Sequence, residues 1–310
     1  MITLYLVVPC YNEEEVLPET SRRLKDKLAD LCEKGKITDK SRVLFVDDGS
    51  RDKTWQIITE LNEKDERFGG VKLSRNRGHQ NALMAGLTAA LDYPCDAVIS
   101  LDADLQDDIN AIDEMVESCI NGNDVVYGVR SARATDTFFK RTTAQGFYKV
   151  MKMLGVDLVY DHADYRLLSR RALEGLMQFD EVNLFLRGIV PQIGYKSDIV
   201  TYERGERFAG ESKYPLKKMI AFAVEGITSF SVRPVRLITT AGIAITAISA
   251  IMWLFLMFTS VDAAVKVAAS VWTLGGIELI AIGVVGEYVG RVYQETKHRP
   301  RFIIEKTILR

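Results

Sequence analysis

Asp102 and Asp104 stand two residues apart at the end of an apolar run that contains Val98, Ile99 and Leu101. In a strand, carboxylates at i and i+2 share a face and lie close enough to share one cation. Hard divalent ions, Mg²⁺ or Mn²⁺, take such oxygens and keep a substrate phosphate in their shell. A bare D-x-D is common, so its weight comes from its neighbours. Two further strand ends carry Pro9-Cys10-Tyr11-Asn12-Glu13 and Asp47-Asp48-Gly49-Ser50. An Asp after the second strand suits hydrogen bonds from a ribose or a base. The same residues, in Asp-Asp-Gly-Ser-Arg-Asp, also suit an Asx-turn and a helix N-cap. For Asp48 both readings stand. No G-x-G-x-x-G follows the first strand and no G-x-x-x-x-G-K-[ST] occurs, which argues against dinucleotide and P-loop chemistry.

The elements that must position these groups alternate. Residues 2–8, 42–46, 70–73, 97–101 and 124–127 are short apolar runs that read as strands. Between them Leu17, Leu24, Leu28 and Leu31 recur at helical spacing, as do Trp55, Ile58 and Leu61, and 81–91 and 109–120 read as helices. This order predicts an α/β domain with a mostly parallel sheet and helices on both faces. Ligands in such sheets bind beyond the carboxyl ends of the strands, where the acidic motifs fall.

The chain has 310 residues, with 40 Lys+Arg against 42 Asp+Glu and 47% hydrophobic residues. The near balance excludes a polybasic nucleic-acid binder, and the apolar content excludes global disorder. Four cysteines without a C-x-x-C pair argue against a zinc ribbon or a disulfide framework. The balance changes along the chain. From Glu211 onward there are twelve basic and seven acidic residues, against 28 and 35 before it. Residues 237–258 carry no charge over 22 positions, and 267–286 carry only Glu278. Each is long enough to cross a bilayer, so a C-terminal two-helix transmembrane hairpin is expected. Arg233, Arg236, Arg291, Lys297, Arg299 and Arg301 flank it, which by the positive-inside rule puts both ends and the N-terminal part in the cytoplasm. Residues 214–230, with Leu216, Ile220, Ala223, Ile227 and Phe230 at helical spacing and Lys217 and Lys218 near the start, read as an interfacial helix. Gly276, Gly283, Gly286 and Gly290 predict close packing on another span, either the first run or a second protomer, and a homo-oligomer is expected. Glu278, ionisable inside the second run, needs a partner. The domain reading is therefore 1–213 catalytic, 214–234 juxtamembrane, 235–290 spanning and 291–310 a cytosolic tail.

Taken in order, Pro-Cys-Tyr-Asn-Glu-Glu, Val-Asp-Asp-Gly-Ser-x-Asp, Arg-Asn-x-Gly-x-x-x-Ala and Asp-Ala-Asp-Leu-Gln-Asp-Asp resemble family 2 glycosyltransferases of the GT-A fold. Within that family the chain is similar to the polyprenyl-phosphate glycosyltransferases, of dolichol-phosphate-mannose-synthase and bactoprenol-glucosyltransferase type, as far as Lys297-His298-Arg299-Pro300-Arg301-Phe302. The resemblance implies that Pro9, Tyr11, Glu13 and Asp48 line a uridine pocket with Asp47 beside them, and that Arg75 and Gly78 lie near the nucleotide. It implies that Asp102 and Asp104 hold Mg²⁺ or Mn²⁺ on the sugar diphosphate and that Gln106 faces the sugar. Asp164 matches the position of the catalytic carboxylate, with Arg166 beside it, and Arg207 and Lys213 match basic residues of an acceptor loop near the phosphates. His79 and His162 read as solvated or capping groups.

The implied reaction moves a hexose, glucose favoured, from a UDP-sugar to undecaprenyl (polyprenyl) phosphate at the cytoplasmic face of the cell membrane, for cell-envelope glycan. The same reaction with N-acetylglucosamine, galactose or a GDP-mannose donor is the alternative. A lipid phosphate has its second pKa near about 6 and arrives largely as a dianion. Asp164 is therefore expected chiefly to orient Arg166 or the sugar. A processive polysaccharide synthase would add a Q-x-x-R-W motif, and none of Trp55, Trp253 and Trp272 follows an Arg. A silent membrane scaffold is disfavoured by the carboxylates present at every strand end.

Overall fold

The computed structural model describes residues 1–131, 162–182, 184–203, 240, 244 and 263–309. They divide into two compact units. One comprises Met1–Ala144, Leu158–Pro215 and Pro300–Arg310, and the other Gln145–Asp157 and Leu216–Arg299.

The first unit is built on an eight-stranded sheet. In chain order its elements are β1 (Leu4–Cys10), α1 (Leu17–Glu33), β2 (Arg42–Asp47), α2 (Thr54–Lys64), β3 (Phe68–Leu73), α3 (His79–Leu91), β4 (Ala97–Ser100), α4 (Ala111–Ile120), β5 (Val125–Arg130), β6 (His162–Ser169), α5 (Arg170–Leu176), α6 (Leu186–Ile189) and β7 (Ser197–Tyr202). A last strand, β8 (Ile304–Ile308), comes from the C-terminus. The spatial order is β7-β5-β6-β4-β1-β2-β3-β8. Strands β4, β1, β2 and β3 run parallel, whereas β6 runs antiparallel to both β4 and β5, and β8 antiparallel to β3. The expected mostly parallel α/β sheet is what forms.

The centre of the sheet is covered on both faces, so its strands need no alternation. Every residue of β1 is buried, as is all of β2 after Arg42. Leu17, Leu24, Leu28 and Leu31 of α1 bury the stripe that their spacing predicts. Helix α3 comes so close to the sheet that a Cβ at Gly86 would stand 2.5 Å from side-chain atoms of Val46 and Val7. The late strands were harder to read. In β7 and β8 most side chains are exposed, as sheet-edge positions allow. The expected tail, 291–310, thus contributes a strand to the catalytic unit.

Of the second unit, α7 (Ala263–Thr296) is described, a helix of 34 residues that contains the second apolar run. At 1.5 Å per residue it is about 51 Å long. Among the described residues no helix is long and apolar enough to cross a membrane. The first run, 237–258, lies outside the described residues except for Thr240 and Ala244, as do 214–230, Arg207 and Lys213.

Candidate active site at the carboxyl ends of the strands

The two loops after β1 and β2 are laced together. The backbone N–H groups of Asn12, Glu13 and Glu14 donate to Ser50 Oγ, Thr54 Oγ1 and Asp52 Oδ2, at 2.9, 2.9 and 3.2 Å. In return the N–H groups of Arg51 and Lys53 donate to Asn12 Oδ1 and Glu14 Oε2. Asn12 sits at φ +53°, where an Asn is among the few non-glycine residues that settle readily. Pro9 is buried in β1, Tyr11 and Glu13 are half-buried, and Arg75 is exposed.

Asp47 and Asp48 divide the work that the sequence left open. Asp48 forms neither its own Asx-turn nor an N-cap. Its Oδ1 and Oδ2 accept the N–H groups of Arg77 and Gly78 at 2.7 and 2.9 Å, pinning the loop that leads into α3. The local turn belongs to Asp47, whose Oδ1 accepts the Ser50 N–H at 3.1 Å. Asp47 is fully buried, and its Oδ2 has no hydrogen-bond partner among the described residues. Burial pushes both pKa values up, against the hydrogen bonds that each accepts. Gly49 lies where these loops touch. At φ +66° a Cβ there would stand 2.6 Å from the backbone of Arg75 and Asn76.

The D-A-D loop after β4 is held at several points. Thr20 Oγ1 donates to the Ala103 carbonyl at 2.8 Å, Tyr165 Oη to the Asp108 carbonyl at 3.0 Å, and Tyr202 Oη to Asp107 Oδ1 at 2.6 Å. Within the loop the Gln106 N–H donates to Asp104 Oδ1 at 3.2 Å, and Leu105 takes φ +57°, a strained position for a branched apolar residue. Gln106 lines an open cleft of about 820 Å³ together with Lys27, Asp107 and Asn110.

Asp164 reaches the same edge because β6 is antiparallel. Arg166 pairs with Ser100 in register, so the start of β6 lies beyond the carboxyl end of β4. Ser100 Oγ donates to the Asp164 carbonyl at 2.5 Å. Three cationic or titratable groups surround the Asp164 carboxylate. Arg166 Nη2 lies 2.5 Å from Oδ1, Arg187 Nε and Nη2 donate to Oδ1 and Oδ2 at 3.3 Å each, and His79 Nε2 is 3.7 Å from Oδ2. Burial alone would raise the Asp164 pKa, but Arg187 and Arg166, with His79, hold it well below the usual carboxylate range.

His79 corrects the solvated or capping reading. Its imidazole stands between two predicted site residues, 3.5 Å from Asp102 and 3.7 Å from Asp164. Arg166 is brought to the site but lies beneath it, with its side chain 2% exposed and its Nη1 donating to the Leu186 carbonyl at 3.3 Å. Arg187, which the sequence reading passed over, is the more open cation at 29%. The available signal was one Arg inside an apolar run, Leu184 to Val190.

Metal binding fits the donor set in one respect. Enclosure pushes the Asp102 pKa up; His79 opposes the rise, whereas the carboxylates of Asp107, Asp164 and Asp104 add to it. A divalent cation would neutralise that concentration of negative charge. Among the described residues no three His, Cys, Asp or Glu side chains are grouped to hold an ion by themselves. Asp102 and Asp104 are the residues that would hold such a cation.

The glycosyl transferase family 2 profile matches residues 5–177. The uncharacterized glycosyltransferase YkoT of Bacillus subtilis is 50% identical over 97% of this chain and 91% of its own. The bactoprenol glucosyl transferase of Shigella phage SfV is 39% identical over 97% of each chain. The solved mannosyltransferase PcManGT of Pyrobaculum calidifontis, in complex with GDP-Man and Mn²⁺, is 18% identical with a TM-score of 0.44, over 93% of this chain and 87% of that one. With a profile match over more than half its length and relatives aligned almost end to end, the chain belongs to glycosyl transferase family 2.

Proposed function

We propose that this protein is an inverting glycosyltransferase that moves a hexose, glucose favoured, from a UDP-sugar to polyprenyl phosphate at the cytoplasmic face of the membrane. The observation that carries the reading is the row of groups along one sheet edge. Nucleotide-type loops follow β1, β2 and β3, the D-A-D pair follows β4, and Asp164 with its two guanidiniums stands at β6. The name of the phage relative, aligned over nearly the whole chain, supports the lipid acceptor and the glucose.

In this reading Asp47, with its unpartnered buried oxygen, accepts an N–H of the base, and Asp48 shapes the pocket by fixing the loop at Arg77 and Gly78. Tyr11, Glu13 and Arg75 border the nucleotide, and Gln106 meets the sugar. Asp102 and Asp104 would hold Mg²⁺ or Mn²⁺, which when bound supplies charge neutralisation for the departing diphosphate. An oxygen of the acceptor phosphate forms the new bond to the anomeric carbon as the bond to the diphosphate breaks, and UDP leaves with that electron pair. The acceptor brings no proton that must be removed, so a carboxylate held ionised by two arginines is better suited to positioning than to base catalysis.

The membrane hairpin belongs to the same proposal. Because β8 pairs with β3, residues 216–299 are entered from the first unit and lead back to it, so any bilayer they cross must be crossed an even number of times. Val271, Ile282 and Val289 of α7 are each more than 60% exposed, a surface suited to lipid. In this reading the two crossings are the runs 237–258 and 267–286, chosen on the length and low charge of the sequence alone. The test is transfer of radiolabel from a panel of UDP-hexoses to undecaprenyl phosphate in detergent, with Mg²⁺ or Mn²⁺. Metal-dependent label in the organic phase from one donor is expected. No lipid label from any UDP-sugar, with UDP still bound, would refute the proposal.

A further inference from the structure

The site holds two arginines on one carboxylate, and they differ. Arg166 is buried beneath Asp164, 2.5 Å from it, and also bonded to the Leu186 carbonyl. Arg187 approaches from the more open side, with its two hydrogen bonds to that carboxylate at 3.3 Å. The longer pair is the one that can exchange partners, since Arg166 still satisfies Asp164 when Arg187 turns away. A guanidinium offers paired N–H groups in a plane that matches two oxygens of a phosphate. Such a cation is needed here. Asp102, Asp104, Asp107 and Asp164 would repel an incoming dianion.

Sheet order decides which phosphate it meets. Moving along the edge from β3 through β2, β1 and β4 to β6 passes the nucleotide-type loops, then the D-A-D pair, then Asp164. Arg187 lies on the far side of the D-A-D loop from those loops, where an acceptor attacking the sugar must stand. Its backbone is held as well. Gln80 Oε1, in the first turn of α3, accepts the Leu186 N–H at 2.9 Å. The neighbouring His79 faces Asp102 and Asp164, so one turn of helix ties the segment carrying Arg187 to the D-A-D side of the site.

We propose that Arg187 binds the phosphate of the acceptor, exchanging its contact with Asp164 for the phosphate oxygens, and that Gln80 is the residue positioning it. This inference rests on the proposed lipid-phosphate acceptor. The test is steady-state kinetics of the full chain in detergent with undecaprenyl phosphate and the active UDP-sugar, each substrate varied in turn. Arg187→Ala should raise the acceptor KM about 10- to 100-fold, as loss of a charge-assisted contact predicts, and leave the donor KM within about 3-fold. Arg187→Lys should recover part of that loss, and Gln80→Ala should raise the acceptor KM about 3- to 10-fold. A merely structural pair would instead lower kcat and the melting temperature while leaving the acceptor KM in place. That outcome, or a change confined to the donor KM, overturns the proposal. A wild-type enzyme that labels no lipid while still binding UDP overturns the acceptor reading itself, and this inference with it. The two failures differ because the second appears before any variant is compared.

Discussion

Replacing Asp164 with Asn separates a base from a positioning group. Asparagine keeps an acceptor oxygen toward Arg166 but loses the charge that answers two guanidiniums, one of them nearly inaccessible to solvent. Removing one partner of a buried ion pair costs about 3–5 kcal/mol. The retained acceptor and the partial exposure of Asp164 reduce this to about 2–3 kcal/mol. For a domain of this size the melting temperature should fall by about 4–12 °C. The sign with pH follows from the depressed pKa. Stability contributed by Asp164 is present above the unfolded carboxylate value and is lost as pH falls through the folded one, so the deficit should stay level from about pH 5 to 9. Turnover behaves differently. With an acceptor that enters already deprotonated, losing a base should not matter, and Asp164→Asn should retain more than about a tenth of wild-type kcat, a barrier increase below about 1.4 kcal/mol. Thermal melts and the transfer assay, run well below the transition, report the two effects separately. A kcat loss as deep as that of Asp104→Ala, with an unchanged melting temperature, would refute the reasoning.

Asp47→Asn should raise the melting temperature at neutral pH, because it removes a buried charge whose pKa burial pushes up; the gain should shrink as pH falls through that raised pKa and be gone below the unfolded carboxylate value. The same variant should weaken UDP binding about tenfold by calorimetry, and unchanged affinity would remove Asp47 from the pocket. Gly49→Ala places a methyl 2.6 Å from the Arg75 and Asn76 backbone at φ +66°, and should cost about 1–3 kcal/mol together with a higher donor KM. Tyr202→Phe removes the 2.6 Å bond to Asp107, and should lower kcat while leaving acceptor KM unchanged if that bond holds the D-A-D loop in place. Deleting 300–310 uncovers β3 and should lower the melting temperature by several degrees, whereas a free tail would leave it unchanged.

The division between what the sequence disclosed and what it withheld follows the physics of burial. Strands β1 to β5 are apolar runs wrapped on both sides, so composition alone marks them. The edge strands β7 and β8 expose most of their side chains and carry no such signal. The same contrast governs the site. The chemistry at the strand ends was visible as residue type, since the carboxylates there stand out against the apolar runs before them. The choice between neighbours was not. Asp47 and Asp48 are adjacent in sequence, yet one keeps an unpartnered buried oxygen while the other is captured by N–H groups 29 and 30 residues away. Arg166 and Arg187 meet the same carboxylate, and only the fold shows that one is buried on β6 and the other partly exposed on α6. In each pair the two members are told apart by contacts with residues distant in sequence, which residue type alone does not disclose. Disrupting the contact of Asp48 with Arg77 and Gly78 should therefore lower UDP affinity by calorimetry if the proposed pocket is correct, since that contact fixes the loop beside Asp47.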